Sequence, residues 1–132
     1  MRILTCHRPE HDLVIFTPKG ALDLRESFAL SDSHYAQHGT ARVIWNLTEI
    51  EASELTLDDM TCAYIKDRKN PHRPETHRMA IVIGSDLHTG LAHLYRAMVR
   101  NAGGGMQMEV FRSMDDALDW TGARGGSAVD QT

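Results

Sequence analysis

The sequence has 132 residues, of which 42% are hydrophobic and 24% charged, an ordinary composition for one folded domain. The formal net charge is −4 and the basic residues are scattered, so we expect no nucleic-acid partner. Arg8, Glu10 and Asp12 precede any long apolar run, and no apolar segment approaches membrane-spanning length. We therefore expect a cytoplasmic protein without a secretory signal.

The amino-terminal part predicts a β-hairpin followed by a helix. Residues 3–7 and 13–19 are short β-prone runs, and the proline and polar residues at 8–12 suit a turn between them. Asp23 followed by Glu26 is typical of a helix N-terminus, where side-chain oxygens accept hydrogen bonds from free backbone N–H groups. The predicted apolar face of this helix is Leu24, Phe28, Ser31 and Tyr35.

Two continuous apolar runs predict interior strands of a parallel sheet. Residues 43–45 and 79–83 have the pattern of strands covered on both faces, and the second run should lie mid-sheet. Thr56 with Asp59 opens a predicted helix between them, and residues 70–77 form an exposed connector because prolines cannot continue the helix. The predicted apolar stripe of that helix is Leu57, Met60, Tyr64 and Ile65.

The remaining residues predict two further helices around an edge strand. Ser85 and Asp86 open a long helix that the glycines at 103–105 end, and residues 106–111 alternate in polarity like a half-covered edge strand. Ser113 with Asp116 caps a short last helix that ends near Trp120. The core-facing stripe of the long helix is Leu87, Leu91, Leu94, Tyr95 and Met98.

The order of these elements predicts an α/β fold. An opening antiparallel hairpin leads into strands that alternate with helices, which implies a five-stranded, mostly parallel sheet with helices on both faces. We expect one domain over residues 1–121. Residues 122–132 are small and polar, and we expect them to be a disordered tail.

Neither cysteines nor histidines have the spacing of a known metal or redox motif. Cys6 and Cys62 are far apart, so we expect two reduced, buried thiols rather than a disulfide. His34 and His38 are four residues apart on one helix, without an evident carboxylate partner, and we expect structural or solvated roles for the histidines. No metal ligand and no cofactor are assigned.

The carboxyl ends of the strands are the default location of a site in an open parallel sheet. Asn46, Thr48, Ser85 and Asp86 fall at this edge and could orient a ligand or an interacting group, although turn and capping roles explain the last three equally well. No nucleophile with a base, carboxylate pair or phosphate loop is recognisable. We therefore predict that the protein is not an enzyme.

Four segments together resemble the SpoIIAA-like family, which shares its fold with STAS domains and is loosely similar to lipid-binding CRAL-TRIO domains. They are LVIFTPKG at 13–20, RVIWNLT at 42–48, RMAIVIGSDLHTGLAHLYRAM at 78–98 and VFRSMDDALDW at 110–120. The resemblance covers most of the chain, and the closing segment is the most distinctive. Where the family has an aspartate and an arginine, this chain has Asn46 and His93.

The resemblance implies a role in regulation. STAS-type anti-sigma-factor antagonists dock on a partner kinase and are switched by phosphorylation of a serine that opens the helix after the third strand. The corresponding residues 52–57 lack that Asp-Ser-Ser-Gly motif, and Thr56 is the nearest hydroxyl, with Ser53 as a second candidate phosphoacceptor. Glu54, Asp58 and Asp59 would repel a phosphate there, so we expect Thr56 to be a helix cap and the switch to be lost.

Two functions from different classes follow as expectations. The first is a non-enzymatic regulatory or protein-interaction module with a protein partner. The sequence does not determine its oligomeric state, for which a homodimer is one option. The alternative is a carrier or sensor of an apolar, lipid-like small molecule, suggested by the CRAL-TRIO resemblance. The carrier would use the helix-face residues Met60, Tyr64, Tyr95 and Met98, which a packed core explains equally well.

Overall fold

The computed structural model describes residues 2–21, 23–51, 77–84 and 106–122, together with residues 58, 61, 62, 65, 93, 96, 97 and 100. In chain order the elements are β1 (Arg2–Arg8), a 3-10 helix (Pro9–His11), β2 (Leu13–Lys19), α1 (Leu24–His38), β3 (Arg42–Asn46), β4 (His77–Val82), β5 (Met106–Phe111) and α2 (Met114–Thr121). The eight separately described residues between 58 and 100 have helical backbone. Within these described parts, no helix is long and apolar enough to cross a membrane.

The five strands form one mixed sheet in the order β1-β2-β3-β4-β5. β1 pairs antiparallel with β2, and each later pair is parallel. The predicted α/β class, the antiparallel hairpin and the mostly parallel sheet are confirmed. The apolar run at 79–83 contributes to the interior strand β4, and residues 106–111 form the edge strand β5, as predicted.

A tight turn joins β1 to β2 because its residues accept unusual backbone angles. Pro9 starts the 3-10 helix, where its missing N–H costs nothing. Asp12 follows in the left-handed conformation, with a φ of 51°, and its N–H donates to Pro9 O at 3.1 Å. An aspartate tolerates this conformation better than most residues do. The turn sets the β1–β2 register, in which Arg8 lies opposite Leu13.

Side-chain caps start α1 and α2, as the sequence predicts. Asp23 Oδ1 accepts a hydrogen bond from Glu26 N–H at 3.2 Å, and Ser113 Oγ accepts one from Asp116 N–H at 3.2 Å. Each bond satisfies a backbone donor that the helix leaves free in its first turn. A glycine in the left-handed conformation follows each helix, Gly39 after α1 and Gly122 after α2.

Both faces of the sheet are buried, each under a described helix. Leu30 of α1 packs on one face, and Ala117 of α2 packs on the other. The α1 face includes Val14, Phe16, Val43, Met79, Ile81, Ile83 and Met108. The α2 face includes Leu13, Ile15, Ile44, Ala80 and Val82. Burial of one such large aliphatic or aromatic side chain contributes about 1.5–3 kcal/mol, so the middle strands supply most of the core.

The structure corrects three details of the predicted elements. On α1, Ser27 and His34 are buried beside Tyr35, whereas Phe28 and Ser31 are only half-buried. His77, predicted to end the connector, begins β4 instead and pairs with Met106. Ile65, predicted for a core stripe, is 45% exposed. The glycines at 103–105 and the predicted tail beyond residue 122 lie outside the described residues.

The Ser113 cap can be tested by replacing Ser113 with alanine. We expect the free energy of unfolding to fall by about 1 kcal/mol, because Asp116 N–H loses its acceptor. Urea denaturation followed by circular dichroism measures the change. Ser33→Ala is the matched control, since Ser33 is exposed in the middle of α1, and its effect should stay within about 0.5 kcal/mol. Equal losses in the two variants would contradict the capping role.

Candidate functional site

Asn46 and Thr48 lie together at the carboxyl end of β3, as the sheet direction requires. Asn46 Oδ1 accepts a hydrogen bond from Thr48 Oγ1 at 2.8 Å and another from Thr48 N–H at 3.3 Å. Short amide side chains commonly form such turns with the backbone two residues further on. Asn46 and Thr48 are therefore hydrogen-bonded to each other in a turn. Their role in orienting a ligand stays a prediction.

Backbone hydrogen bonds hold the loop after β3 against two neighbouring strands. Leu47 N–H donates to Val82 O at 2.7 Å, at the end of β4. Gly20 follows β2, and it donates to Glu49 O at 3.2 Å and accepts from Glu51 N–H at 2.9 Å. These bonds extend the parallel pairing beyond the strands, so the described part of this edge is a fixed surface.

The other four residues predicted as candidates lie outside the described residues. Ser85 and Asp86 were predicted to follow β4, and Ser53 and Thr56 to precede the next helix. Gly84 is the last described residue that directly follows β4. After Glu51, the next described residue is Asp58. The ligand role of Ser85 and Asp86 and the cap and phosphoacceptor roles at Thr56 and Ser53 therefore stay predictions. The same holds for Met60, Tyr64, Tyr95 and Met98.

The prediction that the cysteines are buried is wrong. Cys6 and Cys62 are both free thiols, and both are exposed. Cys6 alternates with inward-facing neighbours on β1, so its side chain points to the face that α1 does not cover. A small apolar residue type favours burial on average. Here, however, β1 lies at the edge of the sheet, where Thr5 on the opposite face of the strand is exposed as well.

Three histidine rings meet between β1 and the end of α1. The ring centroid of His7, on β1, lies 4.8 Å from that of His34 and 4.3 Å from that of His38, and the two α1 rings are 4.9 Å apart. His34 is buried, and its Nε2 is hydrogen-bonded to Thr40 Oγ1 at 2.6 Å. Phe16 of β2 contacts His34 edge-on, with 5.8 Å between the ring centroids. We call His7, His34 and His38 the histidine cluster.

Burial makes the central ring of the histidine cluster hard to protonate. Desolvation, then the nearby His7 and then His38 lower the pKa of His34 from 6.5 to about 4. A charged imidazole at this position would lose most of its hydration and would face two further rings that can carry the same charge. His34 is therefore neutral near pH 7, and Thr40 supplies the hydrogen bond that a buried neutral imidazole needs.

The histidine cluster does not form a metal centre in the described structure. No group of three or more His, Cys, Asp or Glu side chains among the described residues is arranged to hold a metal ion. His34 Nε2 is already bonded to Thr40 Oγ1. The three rings instead contact one another, and His34 also contacts Phe16, so packing and the hydrogen bond to Thr40 explain their arrangement.

The two edges of the sheet differ in how they are protected. On β5, Glu109 Oε1 accepts hydrogen bonds from Arg96 at 3.2 Å and Arg100 at 2.8 Å. Buried or paired charges at a sheet edge discourage other strands from pairing with it. β5 therefore has a charged network on its edge, as many edge strands do.

β1 is the other edge strand, and its middle has no such protection. Leu4 is 42% exposed, and Thr5 and Cys6 beside it are also exposed. All seven residues pair in register with β2, without a bulge, and no described strand pairs with the outer side of β1. The charged residues of β1 stand only at its ends, Arg2 and Arg8. We call residues 2–8 with this outer side the β1 edge.

Sequence reasoning missed both the histidine cluster and the β1 edge. The i,i+4 spacing of His34 and His38 was visible, but nothing in the sequence brings His7 to the end of α1. The short β-prone run at residues 3–7 predicted a strand without indicating that this strand would lie at the edge. The presence of Leu4 and the absence of lysine or proline within 3–7 were the available signals for the β1 edge.

Comparison of the sequence with protein-family models and with curated proteins finds no match. The resemblance to the SpoIIAA-like family therefore stays a prediction that rests on the four segments quoted above.

The low pKa of His34 predicts a stability that depends on pH. Between about pH 6.5 and 4 the unfolded chain binds a proton on His34 that the folded chain does not, so the free energy of unfolding should fall as the pH falls through this range. The slope from this group is at most about 1.4 kcal/mol per pH unit. Above pH 6.5 the group is neutral in both states and contributes no slope.

Urea denaturation at several pH values from 7.5 to about 4.5 measures this effect. His34→Gln keeps a hydrogen-bonding amide for Thr40 but cannot titrate, so its stability should depend less on pH than that of the unchanged protein. His93→Gln is the control, because it makes the same substitution at an exposed helical histidine outside the histidine cluster. The assignment fails if the two variants show the same slope.

Proposed function

We propose that this protein is a non-enzymatic regulatory module that acts by docking on a protein partner. The observation that carries the proposal is the β1 edge, a full-length edge strand whose central side chains are exposed and uncharged. Natural proteins usually block such an edge with lysine, proline, a bulge or a covering element. An unblocked edge is instead suited to accept a strand from a partner.

The rest of the described structure makes the β1 edge rigid, which favours recognition. Seven register pairs hold β1 on β2, and His7 contacts the end of α1 through the histidine cluster. A strand fixed before binding loses little conformational entropy when a partner adds to it. The SpoIIAA-like resemblance supports a regulatory role for such docking, without the phosphoserine switch that residues 52–57 lack.

The proposal predicts that one exposed side chain on β1 controls partner capture. Leu4→Lys places a charge in the middle of the β1 edge, and because Leu4 is 42% exposed the substitution should leave the fold intact. Ile65→Lys is a matched control, since it adds the same charge at another exposed aliphatic residue, 45% exposed. Circular dichroism and thermal unfolding of both variants verify their folding.

The measurement is quantitative mass spectrometry of proteins retained from native host lysate by the three immobilised proteins. We expect at least one protein that the unchanged chain and Ile65→Lys retain equally and that Leu4→Lys retains several-fold less. Identical retention by all three would refute docking at β1. Turnover of a substrate in hydrolase or transferase screens would refute the non-enzymatic assignment.

A further inference from the structure

We propose that three arginines on neighbouring strands, Arg8, Arg42 and Arg78, bind a small soluble molecule that carries two or more phosphate groups. We call these three residues the arginine row. The row lies at the amino ends of β3 and β4, the opposite end of the sheet from Asn46 and Thr48. The proposal goes beyond docking at the β1 edge and does not depend on it.

Strand register places the arginine row in one line on one face of the sheet. Arg8 is paired with Leu13, Leu13 with Arg42, and Arg42 with Arg78. Residues paired in this way point to the same face, and Leu13 is buried on the face that α2 covers. Since neighbouring strands are about 5 Å apart, Arg42 and Arg78 are adjacent, and Arg8 lies about 10 Å from Arg42.

Backbone carbonyl groups hold two of the three guanidinium groups in place. Arg42 Nη1 donates to His11 O at 2.8 Å, and Arg78 Nη1 donates to Trp120 O, near the end of α2, at 3.1 Å. The Arg78 guanidinium also lies 5.7 Å from the centroid of the Trp120 ring. A guanidinium group has five N–H donors, so these bonds leave further donors for a ligand. Groups that are positioned before binding lose less entropy on binding.

No described carboxylate forms an ion pair with the arginine row. Elsewhere the chain does neutralise neighbouring arginines, because Glu109 pairs with both Arg96 and Arg100. Arg42 and Arg78 are directly opposite on neighbouring strands, where like charges are destabilising. The carboxyl end of a helix carries only about half a negative charge, so α2 leaves most of the charge of the row unbalanced. An anion from solution would balance it.

The charge of a phosphate group suits the adjacent pair better than a carboxylate does. A phosphate monoester carries a charge of about −1.5 to −2 and three acceptor oxygens, so it can bind two guanidinium groups at once. A carboxylate carries one charge and two oxygens, which the fork of a single arginine already matches. Arg42 and Arg78 therefore suit one phosphate group, and Arg8 suits a second one on the same molecule.

The size of the row and the charge of the chain favour a small ligand. The row spans three strand spacings, about 15 Å, which is short for a nucleic acid or a membrane surface. The whole chain has a formal net charge of −4, so a long polyanion that extends beyond the row meets an acidic protein. A small molecule can instead be held by the row alone.

Isothermal titration calorimetry of the full chain at constant ionic strength tests the proposal. Inorganic phosphate and inorganic triphosphate are the probes, and citrate is the carboxylate control. We expect triphosphate to bind at least about tenfold more tightly than citrate, because each phosphate group can use two guanidinium groups. Equal binding of citrate and triphosphate, or no binding of either phosphate probe, would overturn the proposal.

Arginine variants test the assignment of each position. Arg78→Gln, at an exposed side chain, should weaken binding of both phosphate probes about tenfold. Arg8→Gln should weaken binding of triphosphate but not of single phosphate, because only a second phosphate group reaches Arg8. Arg25→Gln, at an exposed position on α1, is the matched control and should change neither. Equal affinities of the three variants would contradict the site, and thermal unfolding verifies that each variant is folded.

Two further measurements separate the proposal from its competitors. Co-sedimentation with vesicles of phosphatidylcholine and phosphatidylinositol bisphosphate distinguishes a lipid headgroup from a free phosphate. Retention of the chain on these vesicles would overturn the soluble ligand, and we expect none. Arg78→Gln should capture the host partner as the unchanged chain does, so loss of phosphate binding and loss of docking at β1 can be distinguished.

Discussion

β2, β3 and β4 have apolar side chains on both faces, so neither face of the sheet can remain in water. Val43 points towards α1 and Ile44 towards α2, and both are fully buried. A sheet with this pattern needs a covering layer on each side. In the described structure, α1 supplies the layer on one face and α2 supplies the layer on the other.

Burial of both faces of the sheet also determines which strands keep exposed surface. A sheet between two helical layers buries its middle strands but must still have two edges. At β5, Glu109 with Arg96 and Arg100 places a charged network on the edge. At β1, seven register pairs join the strand to β2 and an arginine stands at each end of its sequence, but the middle of the strand is uncharged. The asymmetry between the two edges is the main functional signal in the described structure.

The histidine cluster links this edge to the core. His7 belongs to β1, whereas His34 is buried on α1 and bonded to Thr40 just before β3. Burial and then the neighbouring rings of His7 and His38 lower the pKa of His34 to about 4. The neutral His34 ring therefore packs between parts of the fold that are distant in the chain. It contacts His7 of the hairpin and is hydrogen-bonded to Thr40, which precedes β3.

Local patterns were sufficient for the class of fold and for most of its parts. The hairpin, the caps at Asp23 and Ser113, the interior run at 79–83 and the edge pattern at 106–111 all followed from residues close together in the chain, because turn chemistry, capping and alternation are local properties. The sequence correctly placed Asn46 and Thr48 together at the carboxyl end of β3. It could not show that Asn46 Oδ1 accepts a hydrogen bond from Thr48 Oγ1.

Other features depended on contacts between distant parts of the chain. The sequence by itself determined that residues 3–7 form a strand, that two interior strands need covering and that His34 and His38 share a helix. Only the tertiary structure decided that β1 lies at the edge, that Cys6 faces solvent and that His7 completes the cluster. Strand order and the side that each strand presents depend on which surfaces meet after folding, and that pairing is a property of the whole chain rather than of any segment.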